Sequence, residues 1–298
     1  LGDIYHSELA LVSPPSAIAT SSNTYTEAYY RQGKNYSDFK NSNNNRSSII
    51  LAGANDGMLH AFNTSNGKEL WAFIPPSVIQ KLRTVVSSKA NTTNPIFGVD
   101  GSPVVKDIYY NNKWRTIALT GLGKGGNSYF ALDVTDVQHP THLFTIMNDP
   151  NFKEVSYWDS TGTKTVYTYN NTFFPNADYD FSKLGEAWST PRILRMKINS
   201  KDKWVATFGA GFNNAVSPEY GSAVFIIDME DGGKLLKQID VDDKTGNSII
   251  NSVPASIVPI IADGSPLANY HGAMAYFADY EGKLWKLNLS DKGTLYDI

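Results

Sequence analysis

Four times along this chain a run of strand-forming residues reaches a tight polar turn and comes back as a second strand carrying an Asn or Asp between apolar neighbours. The segments are Leu51-Ala-Gly-Ala-Asn-Asp-Gly-Met-Leu-His-Ala-Phe-Asn63, Leu119-Thr-Gly-Leu-Gly-Lys-Gly-Gly-Asn-Ser-Tyr-Phe-Ala-Leu-Asp133, Thr207-Phe-Gly-Ala-Gly-Phe212 continuing to Ile226-Ile-Asp228, and Ala275-Tyr-Phe-Ala-Asp-Tyr-Glu-Gly-Lys-Leu-Trp-Lys-Leu-Asn288. Repetition of this kind restricts the chain to a circular or stacked array of β-hairpins. A Ser, usually with a Pro nearby, precedes a short apolar strand ahead of each hairpin, at Ser7, Ser102, Ser189 and Ser252. Each repeat thus supplies an inner strand and then an outer hairpin, the layout of a β-propeller blade, and the fold class is all-β. Phe62, Leu132, Ile227 and Leu287 fall at equivalent positions beside the blade Asn or Asp and are expected to be buried.

The blade residues Asn63, Asp133, Asp228 and Asn288 are spaced 70, 95 and 60 residues apart. A plain blade takes about 40–50 residues, so the excess belongs to insertions or to blades the pattern does not reveal. Two stretches fit. Residues 13–48 are dominated by Ser, Asn and Tyr and read as too polar to build a core, and residues 147–183 carry Tyr157-Trp158 and a Tyr/Thr-rich run. Long loops on a rigid β scaffold are where recognition concentrates. Tyr29, Tyr30, Tyr157 and Trp158 are the expected partner-binding anchors, since aromatic side chains offer large contact surfaces at small ordering cost.

Composition narrows the chemistry. With 26 basic and 29 acidic residues the formal net charge is −3, which gives no electrostatic reason to expect nucleic acid or an anionic membrane. No stretch approaches the about 20 apolar residues of a transmembrane helix. Cysteine is absent, which removes disulfides, thiol catalysis and cysteine-ligated metals together. Gly121-Leu-Gly-Lys-Gly-Gly126 matches a dinucleotide fingerprint, but the β-patterned Ser128-Tyr-Phe-Ala-Leu-Asp-Val134 follows it where a phosphate-binding helix is required. His139 and His142 have a metal-compatible spacing without a third ligand and read as solvated loop residues. No Ser/His/Asp set is identifiable from spacing, and Asp240, Asp242 and Asp243 lack the glycine of a calcium loop. No catalytic residues are assigned, and the chain is read as a non-enzyme.

Two features sharpen the family. Asn66-Gly-Lys-Glu-Leu-Trp-Ala-Phe73 is similar to a motif of propellers that bind pyrroloquinoline quinone, in which the tryptophan staples neighbouring blades; Trp71 and Trp285 are accordingly read as packing devices. At Leu1-Gly-Asp-Ile-Tyr-His-Ser7, Ala52-Gly-Ala-Asn-Asp-Gly-Met-Leu-His-Ala-Phe62, Trp114-Arg-Thr-Ile-Ala-Leu-Thr-Gly-Leu-Gly-Lys-Gly-Gly126, Phe130-Ala-Leu-Asp-Val-Thr135 and Gly282-Lys-Leu-Trp-Lys-Leu-Asn-Leu289 the chain resembles the C-terminal domain of the PilY/PilC type IV pilus biogenesis proteins. The resemblance implies a modified seven-bladed propeller, with this chain covering the first part of the ring. It implies an exported protein at the pilus tip, cell surface, or outer membrane and periplasm. Its implied work is pilus assembly, twitching motility and adhesion, through contacts with minor pilins and a host or abiotic surface. A quinoprotein-like dehydrogenase and a periplasmic outer-membrane assembly scaffold are the rival readings.

Family members carry a calcium loop just before the strand leading into the Gly-x-Leu-Trp hairpin. Here that place reads Pro259-Ile-Ile-Ala-Asp-Gly-Ser-Pro-Leu267, leaving Asp263 as the one carboxylate at an aligned ligand position, with Asn269 and Asp279 as nearby replacements. Calcium takes about 6–8 oxygen ligands, so no cofactor is expected and calcium is not expected to raise the melting temperature.

Overall fold

The computed structural model describes residues 2–24, 26–85, 96–170, 172–198, 201–213, 220–241, 251–261, 273–289 and 294–297. Its strands form four antiparallel sheets in chain order, the blades of an open propeller arc. Blade 1 comprises β1 (Ala10–Val12), β2 (Ile49–Gly53), β3 (Leu59–Asn63) and β4 (Glu69–Phe73). Blade 2 runs β5 (Val104–Tyr110), β6 (Lys113–Gly121), β7 (Ser128–Asp133) and β8 (Thr141–Asp149), and adds β9 (Glu154–Trp158) and β10 (Lys164–Thr168) at its edge. Blade 3 holds β11 (Arg192–Ile198), β12 (Lys201–Gly209), β13 (Ala223–Asp228) and β14 (Leu235–Asp240). Blade 4 holds β15 (Val258–Ile261), β16 (Ala273–Ala278), β17 (Leu284–Asn288) and β18 (Thr294–Asp297).

Because side chains alternate between faces, the unbroken apolar runs serve two blade interfaces at once. In β7, Phe130 and Leu132 face blade 1 with Leu51, Leu59 and Ala61, while Tyr129 and Ala131 face blade 3 with Ala206, Phe208, Phe225 and Ile227. In β13, Val224 and Ile226 turn the other way, to Phe277 and Leu287 of blade 4. Leu132, Ile227 and Leu287 are fully buried, as the repeat predicts. Phe62 is half-buried: it occupies the side of blade 1 against which no described sheet packs, where it stacks on His60 at 5.9 Å.

The blade Asn or Asp ends the third strand and starts the turn to the fourth. Asn63, Asp133 and Asp228 each accept from the backbone N–H two residues on, at 2.8, 2.9 and 2.9 Å, the geometry of an Asx turn. A charge rule goes with it. Where the residue is Asp, a cation stands two residues before its ladder partner on the second strand, pairing Arg115 with Asp133 and Lys203 with Asp228; where it is Asn63, that place is Ser47.

Glycines at the ends of β2, β6 and β12 permit the blades to meet backbone to backbone. A Cβ on Gly53, Gly121 or Gly209 would lie 2.4, 2.7 or 2.1 Å from the carbonyl oxygen of Val99, Ala187 or Val253, in the segments leading into the next blade. Those segments are also hydrogen-bonded across, Gly123 N–H donating to Ala187 O and Gly211 N–H to Val253 O, both at 3.1 Å. The leading serines close the same corner, the Oγ atoms of Ser7 and Ser189 accepting from the N–H of Gly53 and Gly209 at 3.0 and 2.9 Å.

Residues 13–48 are not the coreless polar excursion their composition suggests. They contain α1 (Glu27–Gly33) and α2 (Tyr36–Ser42), and Tyr36 is fully buried. Thr26 caps α1, its Oγ1 accepting from Tyr29 N–H at 3.1 Å, and Glu27 pairs with Arg31 one turn on and with Lys106 of β5. The phenol of Tyr36 donates to Asp107 Oδ2 at 2.5 Å, and Asp107 Oδ1 accepts from Thr116 at 2.7 Å. The Trp114 indole N–H donates to Lys34 O at 2.8 Å, and Tyr30 meets Trp204 of blade 3 edge to face at 6.0 Å. The insertion is a clasp across blades 2 and 3.

Candidate functional site

The two insertions take different positions on the scaffold. In residues 147–183, β9 and β10 pair from Trp158↔Lys164 to Glu154↔Thr168, around a turn in which Asp159 Oδ1 accepts from the N–H groups of Thr161 and Thr163. Behind this hairpin, Tyr179 lies between Tyr157 at 4.5 Å and Tyr167 at 5.3 Å, and the buried Phe181 and Leu184 continue the packing.

The expected anchors divide accordingly. Tyr157 and Trp158 are each only 9% exposed, so the free contact surface expected of them is absent; the Tyr157 ring packs into the core with Tyr179, and the Lys164 ammonium lies 5.1 Å from the Trp158 ring. Tyr30 is half-buried over Trp204 with the Arg195 guanidinium 4.8 Å from its ring, and burial pushes its phenol up to about 12. Tyr29 alone of the four stands out, 42% exposed. More exposed apolar side chains occur elsewhere on the same insertions, Ile18, Phe152 and Phe173, with Phe152 at 73%, and Val166 matches Tyr29. The sequence carries a signal for two of these, a lone aromatic between polar neighbours in Asn151-Phe152-Lys153 and an aromatic beside Thr172 and Pro175 in Phe173-Phe174.

The remaining sequence candidates resolve into local roles. Gly121–Gly126 makes the turn between β6 and β7, and β7 is strand throughout. His139 is bound to Asp136 in an exposed turn, whereas His142 lies half-buried in β8, bonded to Thr145 and with burial pushing its imidazole down. Asp240 pairs with Lys183; Asp242, Asp243, His271, Asp263, Leu267 and Asn269 lie outside the described residues. Among the described residues no three His, Asp or Glu side chains come together as a metal-ligand group.

At the calcium-loop position, Pro259 and Ile261 are ladder residues paired with Ala275 and Ala273. Asp279 is committed to the β16–β17 turn and accepts from Asn251, Trp285, Glu281 N–H and Lys283 N–H at 2.8–3.0 Å. Asp279 is thus engaged within its own hairpin, and Asp263 and Asn269 lie outside the described residues.

Trp71 and Trp285 both pack at blade interfaces but are not counterparts. Trp71 lies in the fourth strand of its blade and donates its indole N–H to Val137 O of blade 2 at 2.8 Å. Trp285 lies in a third strand, aligned with His60; each sends a ring nitrogen to the Asp of its own hairpin, Trp285 to Asp279 and His60 to Asp56.

At the leading ends of the first strands, the imidazole Nδ1 of His6 lies 2.6 Å from Asp100 Oδ2 and its ring meets Trp188 edge to face at 5.0 Å. This contact joins the lead-in segments of three blades. Among the described residues no helix is long and apolar enough to cross a membrane.

Comparison with known proteins agrees with the blade pattern. A type IV pilus biogenesis factor PilY1 from Pseudomonas aeruginosa is 31% identical over 291 residues, covering 97% of this chain and 21% of that protein. A PilY1 homolog from Xylella fastidiosa is 31% identical over 271 residues, covering 88% of this chain and 15% of the homolog. The chain therefore spans about a fifth or less of the length of the curated relatives it matches. The crystal structure of the Pseudomonas aeruginosa PilY1 C-terminal domain superposes with a TM-score of 0.55 at 28% identity, covering 86% of this chain and 41% of that one. With residues 1–295 matching the family described as the PilY1 beta-propeller domain, and with four blades built on one repeat, the chain belongs to that family.

Proposed function

We propose that this propeller is a non-enzymatic module of type IV pilus biogenesis, working through protein contacts made by its two insertions. The observation that carries the reading is the division inside those insertions. Large aromatic rings pack helices and hairpin against blades 2 and 3, while Ile18, Tyr29, Phe152 and Phe173 remain exposed. Isolated exposed apolar groups are suited to insertion into a partner's pockets. The partners are minor pilins at the pilus tip and, in adhesion, a host or abiotic surface, with the protein exported to the cell surface. No cofactor is assigned to it.

Replacing Ile18, Tyr29, Phe152 and Phe173 together by Ser in the full-length protein tests this reading. Piliation, surface attachment and co-purification with minor pilins are expected to fall while the thermal transition stays in place, because exposed substitutions change stability by only about 0.5 kcal/mol each. Wild-type levels of all three would remove the insertions from the role.

A further inference from the structure

A cleft of about 340 Å³ opens between blades 2 and 3, outside the insertions' exposed side chains. One wall is the glycine-rich turn and the end of β8, with Asn127, Asp149 and Asn151; the other is the bridged pair Glu186 and Phe212, with Tyr220. We propose that it binds a neutral, hydroxyl-rich ring, a sugar residue.

The walls are fixed before any ligand arrives. Glu186 and Phe212 exchange both backbone hydrogen bonds, at 3.0 and 2.9 Å, and the Glu186 carboxylate accepts from the Trp188 indole N–H at 2.9 Å. On the other side, Asn148 donates to Ser182 O and Leu184 O and accepts from the Tyr169 phenol, which pins the end of β8. Asp149 Oδ1 accepts from Asn151 N–H at 3.1 Å, which orients the second carboxylate. Preformed polar walls spare a ligand the cost of ordering them.

The chemistry of the lining selects the ligand. Small-molecule sites of about 300–1,000 Å³ are mostly apolar with a few polar groups, and this one, at the small end, is lined about equally by polar and apolar surface. An anion would face both Asp149 and Glu186, while Lys81, whose ammonium donates to Gly125 O at the cleft wall, offsets part of their charge. Asn127, Asn151 and Tyr220 line the cleft, and each side chain presents both a donor and an acceptor. A hydroxyl is likewise donor and acceptor, so a ring carrying several in sequence matches amides, phenol and carboxylates at once. The Phe212 and Tyr220 rings supply the apolar surface that the C–H face of such a ring covers.

Saturation-transfer NMR and calorimetry on the purified protein test the proposal with glucose, galactose and N-acetylglucosamine, using sialic acid and glucosamine as anionic and cationic controls. At least one neutral sugar is expected to bind in the millimolar range and more tightly than either control. Glu186→Gln and Phe212→Ala are each expected to weaken it by about 10-fold or more with the melting temperature retained, since a site built around hydroxyls loses most when their partners are removed. Asn127→Ala, on the opposite wall, serves the same purpose if Phe212→Ala fails to fold. The proposal is overturned if no neutral sugar binds, if a charged control binds as tightly, or if the folded variants bind unchanged. It stands apart from the pilus reading, whose test leaves this cleft intact.

Discussion

The two insertions share a composition rich in Asn, Ser, Thr and Tyr, yet one folds as helices laid across two blades and the other as strands added to one. In the helical clasp the deepest ring, Tyr36, ties its phenol to a carboxylate of β5; in the strand extension Tyr157 keeps 9% of its surface exposed and meets Tyr179 at a tilt of 48°. Polar composition therefore did not prevent a core. Tyrosine buries a ring while its hydroxyl finds a partner, so segments poor in aliphatic residues can still pack.

Tyr36→Ala should break this contrast most strongly. It removes a fully buried ring and leaves Asp107 Oδ2 without its donor, while Oδ1 keeps Thr116, with an expected loss at the upper end of about 3–5 kcal/mol in urea unfolding. Tyr157→Ala should fall at the lower end of the same range of about 3–5 kcal/mol, because the residue is 9% exposed where Tyr36 is fully buried. If the two losses were equal, the clasp would hold no special place. Tyr36→Phe isolates the hydroxyl: stability should drop by about 1–3 kcal/mol, the cost of an unsatisfied buried partner. Tyr29→Ala should change stability by less than about 0.5 kcal/mol.

Alkaline pH sharpens the comparison further. Burial raises the phenols of Tyr30, Tyr36 and Tyr157 above the ordinary value of 10.0, Tyr30 to about 12. The unfolded chain releases these protons first, so the folded state binds more protons and stability should decline as pH climbs past 10, with no contribution near neutrality. Chemical unfolding at stepped pH, followed by phenolate absorbance, should show the decline moderated in Tyr157→Phe.

The blades were legible because their signals are local. The Asx residues, the corner glycines and the alternating apolar runs each have one structural solution, and Leu132, Ile227 and Leu287 fell where the repeat put them. Phe62 was not readable, since its exposure depends on which sheet stands beside blade 1. The clasp had a readable start and stop in Thr26-Glu27 and Arg31-Gln-Gly33, but compositional polarity outweighed it. The hairpin had one too, in Asp159-Ser-Thr-Gly162 between β-prone runs. The cleft was invisible in the sequence because its walls come from opposite sides of a blade interface.

The glycine corners give these blades a built-in reporter. An amide in a glycine-rich turn ordinarily exchanges its hydrogen with water quickly, but those of Gly123 and Gly211 are bound to carbonyls of the next blade. Local fraying of either hairpin does not free them; the blades must part. Deuterium uptake at these two amides therefore measures how often neighbouring blades separate, a motion to which the slow exchange of the ladder amides is blind.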